Sequence, residues 1–155
     1  MNELMLSNQE GLRINSVDLV DIINQFRQLE SELIEDKKYK ELRHRDFTAK
    51  IKRELETLET LGLSGVRNIS QSSYRDNQGK TQPCYSLNRD GMLQMLNSES
   101  VLVRHKTIEY INKLEDENKQ LKKQLDIKAQ LLLSIYNGGQ EGILACKELT
   151  EIEVK

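Results

Sequence analysis

The chain has no tryptophan, one proline, two cysteines and two histidines among 155 residues, and aromatic side chains make up only 5%. With so few rings, any core must be mostly aliphatic. Only Pro83 interrupts the backbone, so almost the whole chain is free to be helical. Cys84 and Cys146 are too few and too isolated for a disulfide framework or a zinc site. Their expected role is that of small buried hydrophobes in a reducing compartment. His44 and His105 are far apart, and no Cys/His/Asp spacing suits a metal. No phosphate-binding loop, dinucleotide glycine motif or nucleophile elbow occurs. No catalytic residue, metal or cofactor is therefore expected, and the chain does not read as an enzyme. Long apolar runs are missing too: no window approaches the ~18 residues of a membrane span. The opening MNELMLSNQEGLR lacks the basic and apolar regions of a signal peptide. The expected location is the cytoplasm.

What the chain does have is concentrated positive charge. The whole sequence carries a net charge of −2, yet Lys37–Arg53 holds eight Lys or Arg against two acids, a net +6. The second half of that stretch reads as an amphipathic helix over 44–61, with Phe47, Ile51, Leu55 and Leu58 on one stripe and Gly62 as its C-terminal glycine. Its charge order is unusual. Arg43, Arg45, Lys50, Lys52 and Arg53 crowd the N-terminal half, and Glu54, Glu56 and Glu59 the C-terminal half. The helix dipole favours the reverse, by a few tenths of a kcal/mol to ~1 kcal/mol per charge. Stability alone does not select this order, whereas a negatively charged partner does. The plain alternative is a solvated charged face, the commoner fate of such runs.

Around this segment the pattern predicts a mainly α chain with one β-hairpin. A first helix is expected over 17–28, with Ser16 as N-cap, Asp18 in the first turn and Val17, Val20, Ile23 (or Ile22) and Phe26 inward. The charged residues after it either prolong that helix toward Leu33 or form a connection. Leu12 and Ile14 alternate with Arg13, the pattern of a short strand. Gly62, Gly65 and Gly79 punctuate a polar section in which Ile69–Tyr74 and Gln82–Leu87 flank a turn, forming a hairpin with Pro83 on an edge strand. Asn88 can cap a third helix with Met92, Leu93, Met95 and Leu96 inward, and Asn97–Ser100 breaks it.

A long helix follows with a heptad pattern. Its a positions are Ile111, Asn118, Leu125 and Leu132, and its d positions Leu114, Leu121, Lys128 and Ile135. Asn118 at a suits a parallel dimer, Glu117 at g would face Lys122 at e of a partner, and Lys128 is a defect whose amine snorkels outward. The expected oligomer interface is Ile111, Leu114, Asn118, Leu121, Leu125, Leu132 and Ile135, in a dimer or a higher homo-oligomer. The alternative is a helix folded back on its own domain. Asn137-Gly138-Gly139 ends the helix, and Ile143, Leu144, Cys146 (or Lys147), Leu149 and Ile152 suggest a short final helix over 140–153. The divisions read from sequence are a domain over 1–100, a coiled-coil helix over 101–136 and a C-terminal segment over 137–155. The absence of capping at Lys155 is compatible with a module cut from something longer.

Three stretches, RHRDFTAKIKRELETLETLG, SSYRDNQGKTQPCYSLNRDGMLQML and IEYINKLE, resemble the Rha family of phage regulatory proteins. His44 and Arg45 fall on the family's opening motif. Ser72, Ser73, Tyr74, Asp76, Gly79, Pro83, Tyr85 and Leu87 fall on its hairpin, Asp90 and Gly91 on the following helix start, and Tyr110 and Ile111 on the closing segment. The resemblance covers about residues 16–115, and the charged 30–40 segment departs from it by lengthening the link between the first two helices. Residues 129–155 also look like a stretch found behind such domains in phage antirepressor-type proteins. The resemblance implies a phage- or prophage-encoded regulator in a bacterial cell, with a winged helix-turn-helix domain followed by the long coiled-coil helix.

Two partners then come into view. On a DNA-binding reading, helix 44–61 enters the major groove of duplex DNA and the hairpin over 67–87 is the wing. Arg45, Thr48, Ala49 and Lys52, opposite the apolar stripe, are candidates for base edges. Arg43, Lys50, Arg53, Arg75 and Lys80 are candidates for phosphates, and His44 belongs to the same surface. With ~5 phosphates neutralised per head, binding should fall steeply with salt. On an antirepressor reading, the acidic first 36 residues and the coiled coil engage a phage repressor protein without touching DNA. An assembly scaffold built on the coiled coil is a weaker third reading.

Overall fold

The computed structural model describes residues 11–63 and 67–153. Gly65 and the first ten residues, with the acids counted among them, lie outside the described residues. The order is β1 (Arg13–Asn15), α1 (Ser16–Leu33), α2 (His44–Thr60), β2 (Ile69–Arg75), β3 (Thr81–Asn88), α3 (Arg89–Met95), a 3₁₀ turn (Leu96–Ser98), α4 (Val101–Asn137) and α5 (Gly139–Glu153). The chain is mostly helical with one small antiparallel sheet, an α+β architecture. It divides into two compact units, residues 1–113 and 114–155, so the division falls inside α4. Among the described residues no helix is long and apolar enough to cross a membrane.

In the first unit the sheet runs β1-β3-β2. β2 pairs with β3 along its whole length, whereas β1 pairs only with Ser86–Asn88. β3 is thus the central strand, not an edge. Pro83 is tolerated because it lies in the half of β3 that β1 does not reach, where its missing N–H breaks no ladder. The Arg13 side chain fastens β1, with Nε donating to Ser86 Oγ at 3.0 Å and Nη2 to Ser70 Oγ and the Ser86 carbonyl, each at 3.0 Å. The hairpin turn is made by Asp76. Its Oδ1 accepts from the N–H groups of Gln78 (3.0 Å) and Lys80 (2.9 Å), its Oδ2 accepts from Gln82 Nε2 (3.1 Å), and Gly79 supplies the left-handed residue at φ +76°.

The helices pack on the sheet through an aliphatic core. Leu19, Val20 and Ile23 of α1, Phe47 and Ile51 of α2, Ile69, Cys84 and Leu87 of the sheet and Met92, Met95 and Leu96 beyond it are buried. At roughly 1.5–3 kcal/mol per fully buried large side chain, this cluster is the main favourable term opposing chain entropy. Leu19 completes the α1 stripe, while Val17 and Phe26 are only half-buried. Within α2 the expected stripe fades: Phe47 and Ile51 are buried, but Leu55 and Leu58 are half-exposed. The helix ends at Gly62 (φ +71°), with Gly62 N–H donating to Glu59 O and Leu63 N–H to Leu58 O, a Schellman motif. Asn88 caps α3 by accepting from Gly91 N–H at 2.9 Å. Gly91 itself is required by close packing, since a Cβ there would stand 2.5 Å from Asn68 O.

Further expectations are corrected. α1 begins one residue earlier, with the prolongation to Leu33 that was one of its two alternatives; its N-cap is Asn15, not Ser16, accepting from Asp18 N–H at 2.8 Å, while Ser16 is buried in the helix start. The Ile111 of the heptad is fully buried in the first unit's core, so its side chain does not belong to a free interface. In the second unit, α5 turns back through Gly138 and Gly139 (φ +74° and +82°) and lies close against the end of α4, where a Cβ on Gly142 would be 3.2 Å from Ser134 O. Its inward side is therefore Gly142 and Ala145, with Leu149 and Ile152 half-buried, whereas Ile143, Leu144 and Cys146 are exposed. Cys84 is buried as expected; Cys146 is not, because small residues one step round the helix make the close contact. Leu121, Leu125 and Leu132 remain exposed along α4, Leu114, Asn118 and Ile135 are half-exposed, and Tyr136 is 87% exposed.

Candidate nucleic-acid interface

The segment between α1 and α2 is charged, yet it is tied down. Asn24 bonds Leu42 in both directions, Nδ2 to Leu42 O at 2.9 Å and Leu42 N–H to Oδ1 at 2.8 Å. Arg27 Nη1 donates to Lys40 O at 2.9 Å while its Nε and Nη2 grip Glu99 bidentately at 2.9 and 2.7 Å. Lys37 pairs with the buried Glu30 at 2.7 Å. Burial pushes the Glu30 carboxyl up, but the Lys37 and Ser100 hydrogen bonds and the Lys37 and Arg27 charges outweigh it and hold the group below its ordinary range. The long link is thus clamped to α1 and to the turn before α4, which fixes where α2 starts.

That start is a hub. The buried Ser16 hydroxyl accepts from the Tyr85 N–H at 3.0 Å and meets His44 Nε2 at 2.9 Å. Since the Oγ receives the Tyr85 proton, its own hydrogen is free to go to Nε2, which suits a neutral imidazole. Burial also lowers the His44 pKa from 6.5, against an opposing pull from Asp21. The His44 ring stands edge-on to Tyr74, centroids 5.8 Å apart and planes at 86°. One residue from α1, one from α2 and one from each hairpin strand therefore meet at a point.

Outward from the hub the basic face divides in two. Arg43, Arg45, Ala49, Lys52 and Arg53 are exposed, and Arg45 makes only a long 3.4 Å contact with Asp46. Thr48 is half-buried, its Oγ1 donating to Arg45 O at 2.9 Å. Lys50 points the other way: its Nζ donates to Met95 O at 2.7 Å and Ser98 Oγ at 2.6 Å. Burial lowers its pKa, with Glu99 and Glu54 pulling it back up. Its ammonium anchors α2 to the corner after α3 and is not among the outward cations. Arg75 and Lys80 are exposed at the hairpin tip.

Between α2 and the hairpin lies a groove of about 480 Å³. Its helix wall is His44, Arg45, Thr48 and Lys52, all four singled out from sequence. Its sheet wall comprises Gln71, Ser72 and Tyr74 of β2 and Gln82, Pro83, Cys84 and Tyr85 of β3. Sequence reading assigned no binding role to Gln71, Gln82, Cys84 or Tyr85. The hairpin register, which sets Gln71 opposite Tyr85 and Tyr74 opposite Gln82, was the available signal for the Gln71, Gln82 and Tyr85 group. The residues matching the hairpin motif thus separate by role: Ser72, Tyr74, Pro83 and Tyr85 line the groove, Asp76 and Gly79 form the turn, and Leu87 is core.

A family model described as phage regulatory protein Rha matches residues 37–119, which is more than half of the chain and spans the basic stretch, the hairpin, α3 and the first half of α4. The match begins later than the sequence resemblance, at Lys37 rather than near Ser16, and ends slightly beyond it. No curated protein and no solved structure matches the chain. Carrying that family's sequence pattern on the surfaces that build the hub, the turn and the groove, the chain belongs to the phage regulatory protein Rha family.

Proposed function

We propose that the chain is a phage or prophage transcriptional regulator that binds duplex DNA through the exposed face of α2 and the hairpin, in the manner of a winged helix. The observation carrying this is spatial. Arg45, Lys52 and Arg53 are exposed on one helix and Arg43 at its N-cap, while Arg75 and Lys80 are exposed at the tip of the hairpin whose Tyr74 ring meets His44 of that helix, in a chain otherwise acidic. The order strand, two helices, hairpin, with the sheet running β1-β3-β2, supports the winged-helix reading. α2 enters the major groove with its N-terminal half, where Arg45, Thr48, Ala49 and Lys52 meet base edges. Arg43, Arg53, Arg75 and Lys80 contact phosphates and set the register. Exposed Leu121, Leu125 and Leu132, with Asn118 on the same stripe, support pairing of two copies along α4, which gives two reading heads for a repeated half-site.

One observation favours the antirepressor as a second reading. A shallow surface bounded by Asp21, Glu32, Glu41 and the exposed Tyr39 lies along α1, and its acidic character suits a basic partner protein such as a repressor's DNA-binding face. A gel-shift titration of random duplex DNA at two salt concentrations, with wild type beside the Arg45→Ala/Lys52→Ala variant, separates the two. Binding at low salt that the double substitution weakens at least tenfold supports the DNA reading. Absence of binding, together with retention of a cognate repressor on the wild-type protein, establishes the other.

A further inference from the structure

We infer that the groove between α2 and the hairpin is a nucleotide site, receiving one unpaired base on the Tyr74/His44 corner with its phosphate toward Arg45 and Lys52. This rests on reading the surface as one built for nucleic-acid chemistry, with Arg45 and Lys52 holding the phosphate of an unpaired nucleotide where in a duplex complex they meet base edges. At about 480 Å³ the groove is within the size range of small-ligand sites. A smooth helix face reading duplex DNA needs no such recess. Two aromatic rings meet in it nearly at right angles. A flat heterocycle laid on one ring meets the edge of the other, the arrangement in which stacking on aromatic side chains holds single bases.

The polar groups fit the same ligand. Among the described residues, the Ser72 side chain and the Tyr74 hydroxyl, on one face of the hairpin, make no hydrogen bond, so groups suited to a base edge are available on the groove's sheet wall. Both cations that line it are exposed, and none of its lining residues is Asp or Glu. An anion is therefore received at one wall and a ring at the other. Nearby acids lie outside the lining: Glu56 acts with burial to raise the Tyr85 phenol's pKa, Asp21 acts on His44, and Asp46 makes only a long 3.4 Å contact with Arg45, so the Arg45 and Lys52 cations remain the groups suited to a phosphate. The ligand chemistry has two sources, a free nucleotide acting as an effector or an unstacked nucleotide of single-stranded DNA.

The test is equilibrium binding to the full chain at low salt, read by dialysis, with three probes: the four deoxynucleoside monophosphates, a short oligo-dT, and inorganic phosphate. Wild type should bind a nucleotide probe at least tenfold more tightly than phosphate, and Lys52→Ala and Tyr74→Leu should each weaken it at least fivefold. Lys52 is exposed, so its variant keeps the fold even if the Tyr74 variant does not. Tighter binding of the oligonucleotide than of any monophosphate identifies DNA as the source; the reverse identifies a free effector. Equal binding of phosphate and nucleotides, no binding of any nucleotide, or binding indifferent to Lys52→Ala overturns the inference. Duplex binding in the gel-shift assay with no nucleotide binding removes this subsite and leaves the regulator reading intact, whereas nucleotide binding without duplex binding does the opposite.

Discussion

Ser16→Ala probes the hub directly. In the wild type the fully buried Ser16 hydroxyl satisfies the Tyr85 N–H at 3.0 Å and bonds His44 Nε2 at 2.9 Å. Alanine leaves the buried Tyr85 N–H without a partner, which costs about 1–3 kcal/mol, and strands one nitrogen of a half-buried ring for roughly 1 kcal/mol more. The higher helix propensity of alanine returns only about 0.5 kcal/mol. The net expectation is a loss of about 2–3 kcal/mol, or a fall in melting temperature on the order of 10 °C for a unit of this size. Urea unfolding followed by far-UV circular dichroism reads it, with Ser31→Ala as control, since that hydroxyl bonds Gln28 O at an exposed site and its loss should cost under about 0.5 kcal/mol. A loss at Ser16 no larger than at Ser31 refutes the hub. The pH dependence is a second reading of the same contact. The folded imidazole takes its proton at lower pH than the unfolded one, so the unfolded chain binds more protons between the two values. Stability should fall as pH is lowered from about 6.5 through the depressed folded value, and His44→Gln should flatten that part of the curve.

Other perturbations test other parts of the fold. Gly91→Ala, which drives a methyl to 2.5 Å from Asn68 O and 2.9 Å from Ile69 Cγ1, should cost about 2–3 kcal/mol in urea unfolding, where Gly→Ala in a helix otherwise gains. Arg27→Met takes from Glu99, whose side chain is 6% exposed, its bidentate cation and leaves the charge of Lys50 nearby; the expected loss is about 2–3 kcal/mol, at the low end for a buried pair because Arg27 is partly solvated, and Arg27→Met/Glu99→Leu should recover most of it. For Glu30 the held-down carboxyl contributes stability that is fully present above pH 4.5 and is lost as pH falls through its lower folded value, so Lys37→Met should lower stability above pH 4.5 and make progressively less difference as pH falls through that window. Sedimentation at micromolar concentration should show wild type associated and Asn118→Ile shifted toward larger species; a monomeric wild type ends the pairing claim.

Much of the fold was legible because local rules agreed. The hairpin, the Asn88 cap, the Gly62 terminus and the break at Asn97–Ser100 each had turn or capping chemistry within a few residues. The basic face of α2 was legible from charge order, since five cations in the half of a helix that disfavours them need an outside reason. The errors came where the deciding partner is distant in sequence. Ser16 looked like an N-cap because serine before an apolar run usually is one, but the cap fell to Asn15 and Ser16 was drawn in by His44 and Tyr85. Lys50 looked like its neighbours, and only the carbonyl of Met95, 45 positions away, turns it inward. Heptad counting placed Ile111 on the same stripe as Leu125, though the core of the first unit covers one and leaves the other exposed. The groove was half-visible: its helix wall follows from charge and period, while its sheet wall needs the pairing of β2 with β3.

The central claim is that α2 and the hairpin tip together neutralise DNA phosphates, and the salt dependence of duplex affinity tests it most directly. Fluorescence anisotropy of a labelled duplex between about 50 and 200 mM salt should give a slope of log K against log salt of about −3 to −4 per head for wild type, as about four neutralised phosphates require. Arg75→Ala/Lys80→Ala should make that slope shallower by about 2 while far-UV circular dichroism is unchanged. No binding at 50 mM salt, or a slope that the double substitution leaves alone, contradicts the account.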